Sequence, residues 1–399
     1  MSELERAALA ARNRALAESM RRRTTKHKLR GLMLSALASF PVKKQHGGTN
    51  HVLLIRPDHL GDLLLTVPAI RQLKDARPDL TLHALIGTWA KPAIDRLPEL
   101  SQIETLEFPG FTRQPKAGAL AAYQLAWQTA AKLRQTGYDA ALILRPDHWW
   151  GAMLAYLAGI PRIIGFDVPD VRSFLTERIP STRQHSVEMS LALASVITGQ
   201  PLKSAEAHMH YPVTDDDRAQ IDALLTELGA AKNQPIVCIH PGSGTQTKQW
   251  ETSRWSQVGD ALAKKLGAFV VFTGSPSEVE LCLAASQNMT SAHGIAAGKT
   301  SVGGLAALLA RARVVLGADS GPLHLAAAVG TPTVALFGPA DVVEFGTWGD
   351  KTRHAVLTSD IGCLGCRILD WPNDAPENHP CVRDITLERV VAAALRVAR

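Results

Sequence analysis

From about residue 50 onward the chain alternates short aliphatic runs with amphipathic stretches. His51–Arg56, Leu80–Ile86 and Ala140–Leu144 are nearly continuous apolar runs, the pattern of strands covered on both faces of a parallel sheet. Between them, Asp62–Arg77 (with Pro68 near its start) and the Ala-rich residues 118–136 read as helices. A helical segment at 151–158 and a short strand at Arg162–Gly165 follow. A second series begins at Pro235 with strand Ile236–His240, helix 253–266, strand 268–273 and helices 276–287 and 301–311. It continues through an apolar run ending at Leu316, a helix opened by Asp319-Ser320-Gly321-Pro322 and closed by Gly330, and strand Thr333–Phe337. Strands that alternate with helices predict parallel sheets flanked by helices. The chain therefore reads as α/β, with two Rossmann-like doubly wound domains facing each other across a cleft. The expected boundaries are a basic arm at 1–47, a first domain at 48–200, a connection at 201–234, a second domain at 235–385 and a C-terminal helix at 386–399.

A length of 399 residues and 46% hydrophobic content suffice for two cores. The net charge of +6 is concentrated at the start, where residues 1–45 hold 11 Lys or Arg against 3 Glu. The rest of the chain is close to neutral, which argues against a nucleic-acid-binding body. The arm carries Arg21-Arg22-Arg23, Lys26, Lys28 and Arg30 before GLMLSALASFPV, an apolar run too short to span a bilayer at roughly 20 residues. Four readings stand for it: a segment resting on an anionic membrane surface, a solvated tail, a signal peptide with an unusually long charged region, and a partner-docking helix. The first implies a protein on the inner face of the cytoplasmic membrane.

In open parallel sheets, ligands collect beyond the carboxyl ends of the strands, so the residues there are the candidates for chemistry. Arg56-Pro57-Asp58-His59-Leu60-Gly61-Asp62 follows the first strand. Asp62 reads either as an N-cap or as a carboxylate that takes a proton from a bound alcohol. Arg-Pro-Asp-His recurs at Arg145–His148, again after a strand. Arg56, His59, Arg145 and His148 are thus candidate contacts to an anionic acceptor, with chance repetition as the alternative.

His240-Pro241-Gly242-Ser243-Gly244-Thr245 follows the first strand of the second series, and Ser243, Gly244 and Thr245 suit a pyrophosphate. Lys248 stands ready to neutralise a phosphate leaving group, or is an ordinary solvated lysine. Trp250 and Trp255 fit packing better than base stacking. Glu278 suits two ribose hydroxyls, or simply the first turn of a helix. At Asp319-Ser320-Gly321-Pro322, Gly321 leaves the helix terminus open to an anion, Pro322 fits a first turn, and Asp319 is placed to accept from sugar hydroxyls. A carboxylate beside a phosphate cradle suggests a sugar-nucleotide site. Gly298-Lys299-Thr300-Ser301 lacks the upstream glycine of a P-loop, since His293 stands there, and reads as a loop with Ser301 capping a helix. Five cysteines in a chain this long make no disulfide scaffold. Cys363, Cys366 and Cys381 with His379 have ligands for a structural zinc, and equally fit a disulfide with a spare thiol or three reduced thiols.

The segments IRPDHLGDLLLTVPAIRQLK, LAGIPRIIGF, HSVEMSLALA, HPGSGTQTKQW, FTGSPSE and GADSGPLHLAAAVGTPTVALFGP together resemble glycosyltransferase family 9, the family of ADP-heptose:lipopolysaccharide heptosyltransferases. The resemblance covers about residues 50–395. It implies a GT-B fold, inversion at the anomeric carbon and no catalytic metal or cofactor. It casts Asp62 as general base, with Lys248, Ser320 and Gly321 binding the diphosphate, Asp319 the donor sugar and Glu278 the ribose. His324, one turn into the helix, is counted with the donor site. The expected reaction moves a sugar, heptose from ADP-heptose, onto a lipopolysaccharide core or another anionic, lipid-linked saccharide. A sugar-nucleotide 2-epimerase or a non-catalytic nucleotide-sugar-binding protein on the same architecture are the alternatives. Asp58-His59 stands where the family usually has small hydroxyl residues, and the family generally lacks an arm like residues 1–47.

Overall fold

The computed structural model describes residues 2–22, 24–45, 48, 50–112, 120–369 and 379–399. Two units emerge, one of residues 23–207 and the other of residues 208–399 together with residues 1–22. We call them the N-terminal and C-terminal domains.

Each domain is built on one six-stranded parallel sheet. In the N-terminal domain the strands are β1 (His51–Arg56), β2 (Thr81–Gly87), β3 (Leu100–Leu106), β4 (Ala140–Ile143), β5 (Arg162–Phe166) and β6 (Glu177–Ile179), in the order β3-β2-β1-β4-β5-β6. In the C-terminal domain, β7 (Ile236–His240), β8 (Phe269–Phe272), β9 (His293–Ile295), β10 (Ala312–Ala318), β11 (Thr333–Leu336) and β12 (His354–Leu357) run β12-β11-β10-β7-β8-β9. Both sheets thus have the doubly wound order of a Rossmann fold, and the order reverses at β1/β4 and at β7/β10. The fold class expected from the sequence is the one observed. Four strands, β3, β6, β9 and β12, had no counterpart in the hydrophobic pattern; they are short or edge strands with polar or half-buried positions.

The central strands are buried along nearly their whole length because helices cover both faces. One face of the first sheet packs Leu53, Ile55, Leu85, Ala141 and Ile143 against Ala126, Ala130, Trp150 and Met153 of two helices, Ala121–Thr136 and Trp149–Leu157. The expected start of the former, at 118–119, lies outside the described residues. In the second sheet Val237, Ile239, Val270, Phe272, Val314 and Leu316 pack on Trp255, Val258 and Leu262. Trp250 and Trp255 are buried and meet edge to face, with ring centres 4.9 Å apart, so both are packing anchors.

The arm and the connection differ from expectation. Residues 1–47 are not one arm. Helix α1 (Glu3–Arg21) belongs to the C-terminal domain and helix α2 (Thr25–Ala38) to the N-terminal domain. Ala10, Asn13 and Ala17 of α1 are buried, Arg14 Nε donates to the Gly362 carbonyl at 2.5 Å, and Arg6 pairs with Asp360 at 2.7 Å and with Asp384. This helix is thus docked rather than a solvated tail. The domain boundary falls between Ala207 and His208, inside the expected connection. A helix at Asp215–Glu227 packs on Val302–Arg311 of the C-terminal domain, as hydrophobic Ile221, Leu224 and Leu225 require. The last helix, Leu387–Val397, is capped by Thr386 and supplies Val390, Ala394 and Val397 to the same core. No helix among the described residues is long and apolar enough to cross a membrane.

Candidate functional site

In the N-terminal domain the residues after β1 and β4 meet at the point where strand order reverses. Leu60–Leu64 (α3) and Val67–Ala76 (α4) replace the single helix expected, broken before Pro68, which sits in the first turn of α4. His59, not Asp62, is the residue before α3, and Asp62 lies in its first turn. The N-cap reading of Asp62 is therefore corrected. Its carboxylate, about one-third exposed at 31%, stands 3.9 Å from Arg56 Nη2.

Arg56 is itself buried. Its Nε is 3.0 Å from Asp58 Oδ2, and its other nitrogens donate to the Leu144 carbonyl and, at 3.3 Å, to Ser186 Oγ. Asp58, only 4% exposed, also accepts from Arg145, so two guanidiniums share one buried carboxylate. Burial alone would raise the Asp58 pKa, but the charges of Arg56 and Arg145 outweigh it and hold the group below the usual carboxylate range. Arg145 also pairs with exposed Asp147 and lies 5.1 Å over the Phe111 ring. The two Arg-Pro-Asp-His copies thus fall side by side, yet they do different work: Asp58 is a buried hub and Asp147 a surface carboxylate.

The four acceptor candidates separate accordingly. Arg145 and His59 are accessible, the His59 ring tilted against Trp89 with ring centres 5.8 Å apart. Arg56 and His148 are not. Burial pushes the His148 imidazole down to about 3, against a partial pull from Asp58, so it is neutral near pH 7. It packs among Phe108, Phe111 and Trp150 and against Gly151, where a Cβ would come 2.4 Å from Nδ1. A neutral buried ring is no anion contact, and the expectation for His148 is corrected on that ground; Arg56 is likewise committed to Asp58. The contact of Ser186 and the hub role of Asp58 are not legible in the sequence, because only the register of β1 beside β4, and the approach of the Ser186–Thr198 helix, give them partners.

In the C-terminal domain, β7, β8 and β10 bring three loops to one edge of the sheet. Gly317 permits the close passage of β10 beside β7: a Cβ there would lie 2.5 Å from the His240 carbonyl oxygen. Ser320 precedes the helix Gly321–Ala328. Its hydroxyl donates back to the Ala318 carbonyl at 3.0 Å and makes no capping bond, so the helix terminus is not covered by its own side chain. Pro322 sits in the first turn, and Ser320, Gly321 and Pro322 are half-buried. Lys248 Nζ lies 2.7 Å from Asp319 Oδ2, with side chains 16% and 8% exposed. Lys248 is therefore not a solvated lysine; it is brought to the start of this helix by a charge pair.

Glu278 accompanies them. Its carboxylate accepts from the Ser275 amide and hydroxyl, each at 2.8 Å, and lies against Gly242, where a Cβ would fall 2.0 Å from Oε1. Gly242 is thus a close-approach glycine rather than a flexible one. Ser243 donates to the Thr245 carbonyl at 2.7 Å, Thr245 meets Thr247 at 3.1 Å, and Gly244 is exposed with open space beside it. His324 is buried one turn into the helix, beneath the terminus rather than at it. His240, which accompanies Thr273 at 3.1 Å, is also buried, and burial lowers its pKa.

The cysteine cluster takes another role. Cys363, Cys366, Cys381 and His379 line a cavity of about 10 Å³ with Asn13 of α1, barely room for one water. Among the described residues no group of three or more His, Cys, Asp or Glu is arranged to hold a metal ion, so the zinc reading is set aside. All five cysteines are free thiols, and burial pushes Cys381 up to about 12 and raises Cys366. Asn13 Nδ2 reaches Cys363 Sγ at 3.9 Å, and Arg21 donates to the Cys366 carbonyl. The cluster is the seat of α1.

Comparisons with known proteins agree with this geometry. A model of glycosyltransferase family 9 (heptosyltransferase) matches residues 126–368. Lipopolysaccharide heptosyltransferase 3 of Escherichia coli is 28% identical over 299 residues, which is 73% of this chain and 84% of that protein. The fold is shared with a family 9 glycosyltransferase from Veillonella parvula (TM-score 0.71, 21% identity, 90% of this chain and 99% of that one). It is also shared with E. coli ADP-heptose lps heptosyltransferase II (TM-score 0.67, 21% identity, 87% and 98%). With the family model covering more than half of the chain, the protein belongs to glycosyltransferase family 9 and is a glycosyltransferase.

Proposed function

We propose that the protein transfers heptose from ADP-heptose, with inversion, to a lipopolysaccharide-core or related anionic, lipid-linked saccharide. The observation that carries this is the Lys248–Asp319 pair at the open start of the Gly321–Ala328 helix. A cation, a helix terminus with its positive dipole end and a carboxylate form a set suited to a sugar diphosphate. On this reading the diphosphate takes over Lys248 and the Ser320–Gly321 amides, which stabilise the negative charge that builds as the C1–O bond breaks. Asp319, released from Lys248, accepts from a donor-sugar hydroxyl. Ser243, Gly244 and Thr245 add polar groups beside the phosphates, and Glu278 takes the ribose. Asp62 accepts the proton of the attacking acceptor hydroxyl. Arg56 orients that carboxylate, while Arg145 and His59 meet the acceptor. No metal or cofactor takes part in these steps. The relatives' names, lipopolysaccharide heptosyltransferase and ADP-heptose lps heptosyltransferase, support the donor and acceptor classes. The work would be done on the inner face of the cytoplasmic membrane.

The test is Asp62→Asn assayed for ADP release with ADP-heptose and a deacylated core acceptor. Loss of a general base lowers transfer by about 10²–10⁴-fold, while calorimetric affinity for ADP stays within about twofold. Retained transfer refutes the base assignment. Tighter binding of UDP or GDP than of ADP refutes the donor. Turnover of the donor into an isomer without acceptor favours an epimerase.

A further inference from the structure

The outer face of α2 does not match a helix whose whole purpose is to pack on its domain. Its inner face is fastened: Leu34 is buried, Arg30 pairs with Asp170 and lies 5.5 Å over Trp149, Ser35 meets Ser173 at 3.0 Å, and Tyr156 donates to the Ala38 carbonyl at 2.9 Å. On the opposite side Leu29 is 67% exposed, Leu32 70% and Met33 48%, and Phe40, just past the last turn, is 67% exposed. At ~100° per residue Leu29, Leu32 and Met33 fall in one row along the helix, with Lys26 and Lys28 on its two borders. Lys43 and Lys44 are exposed as well, and no Asp or Glu occurs between Glu18 and Asp58.

We propose that α2 and Phe40 form an interfacial anchor whose apolar row enters an anionic lipid surface while Lys26, Lys28, Lys43 and Lys44 meet the headgroups. The basic border matches the charge of anionic headgroups, and an apolar row with a cationic edge is the arrangement of helices that lie in the membrane plane. The opposite face, fixed by Arg30, Ser35 and Ala38, holds this row outward. The anchor is compatible with the acceptor class proposed above, but lipid binding itself does not depend on which sugar is transferred.

The full chain is sedimented with vesicles of phosphatidylcholine alone and with about one-third phosphatidylglycerol. Binding is expected on the mixed vesicles only, and is reduced by about 0.5 M salt. Lys26→Ala with Lys28→Ala should weaken it at least about tenfold, since each basic side chain near an anionic surface contributes about fivefold. Leu29→Ser, Leu32→Ser and Phe40→Ser together should abolish retention. These positions are exposed, so an unchanged thermal transition and unchanged ADP affinity verify that the variants are folded. Failure of those controls' counterpart in the wild type, an absence of ADP binding, would count against the transfer reading alone. The anchor is overturned if the wild type ignores anionic vesicles, if the triple variant binds them equally, or if the row instead holds two copies together in solution.

Discussion

Replacing Asp58 by Asn removes a buried carboxylate that two guanidiniums share. Arg56 Nε stands 3.0 Å from it, and both side chains are about 5% exposed. The substitution keeps the shape and removes the charge, leaving Arg56 with Asp62 at 3.9 Å as its remaining carboxylate. Breaking one side of a buried ion pair costs about 3–5 kcal/mol, because the other charge is left without compensation in a poorly solvated place. At 2–4 °C per kcal/mol for a domain of this size, the N-terminal domain should melt roughly 6–20 °C lower. Circular dichroism melts at pH 7, followed by the transition assigned to that domain, measure it. The pH dependence supplies a second reading. The folded pKa of Asp58 lies below its unfolded value, so its stabilisation is complete above about pH 4 and is lost as the pH falls through the folded value. The difference between wild type and Asp58→Asn should therefore shrink as the pH falls below about 4. A loss below about 2 °C at pH 7, or a gap that grows on acidification, would refute the buried-hub argument.

Two further outcomes concern single groups. Lys248→Ala should weaken ADP binding about 10–100-fold by calorimetry, the worth of a charged hydrogen bond to phosphate. It should also lower the melting temperature, because Asp319 is left buried and unpaired; adding Asp319→Asn should restore stability but not affinity. His148 titrates near pH 6.5 when unfolded but is pushed to about 3 when folded, so the unfolded chain binds the extra proton between those values. Stability conferred by the N-terminal domain should fall as pH drops below about 6.5, and His148→Phe, in a pocket already lined by Phe108 and Phe111, should flatten that dependence in melts across pH 4.5–7.

Much of the fold was legible because its physics is local. Aliphatic runs such as His51–Arg56 and Ile236–His240 have to be buried on both faces, and the alternation with helices leaves few ways to do so. The Asp319–Pro322 terminus was equally plain, since a glycine and a proline at a helix start have few other uses. Edge strands β9 and β12 were not, because three or four half-exposed residues carry no periodic signal of their own. In the sequence helix α1 reads as part of a basic tail because its arginines look solvent-seeking; Asp360, Asp384 and the Gly362 carbonyl, more than 300 residues away, are what they pair with.

For the site, residue types near strand ends gave the candidates, and tertiary structure assigned their work. Lys248 is an unremarkable lysine until β10 brings Asp319 within 2.7 Å of it. Arg56 and Arg145 look like two equal acceptor contacts until β1 and β4 lie side by side and Asp58 is enclosed between them, taking Arg56 away from solvent. Likewise His148 resembles a surface imidazole in a repeat but sits in an aromatic pocket and stays neutral. Hydrophobic periodicity and chain stiffness act over a few residues, so the sequence alone determined the elements and the loops that hold polar groups. Burial and charge pairing depend on partners distant in the chain, and only the packed structure decided which of those groups remain open to a ligand.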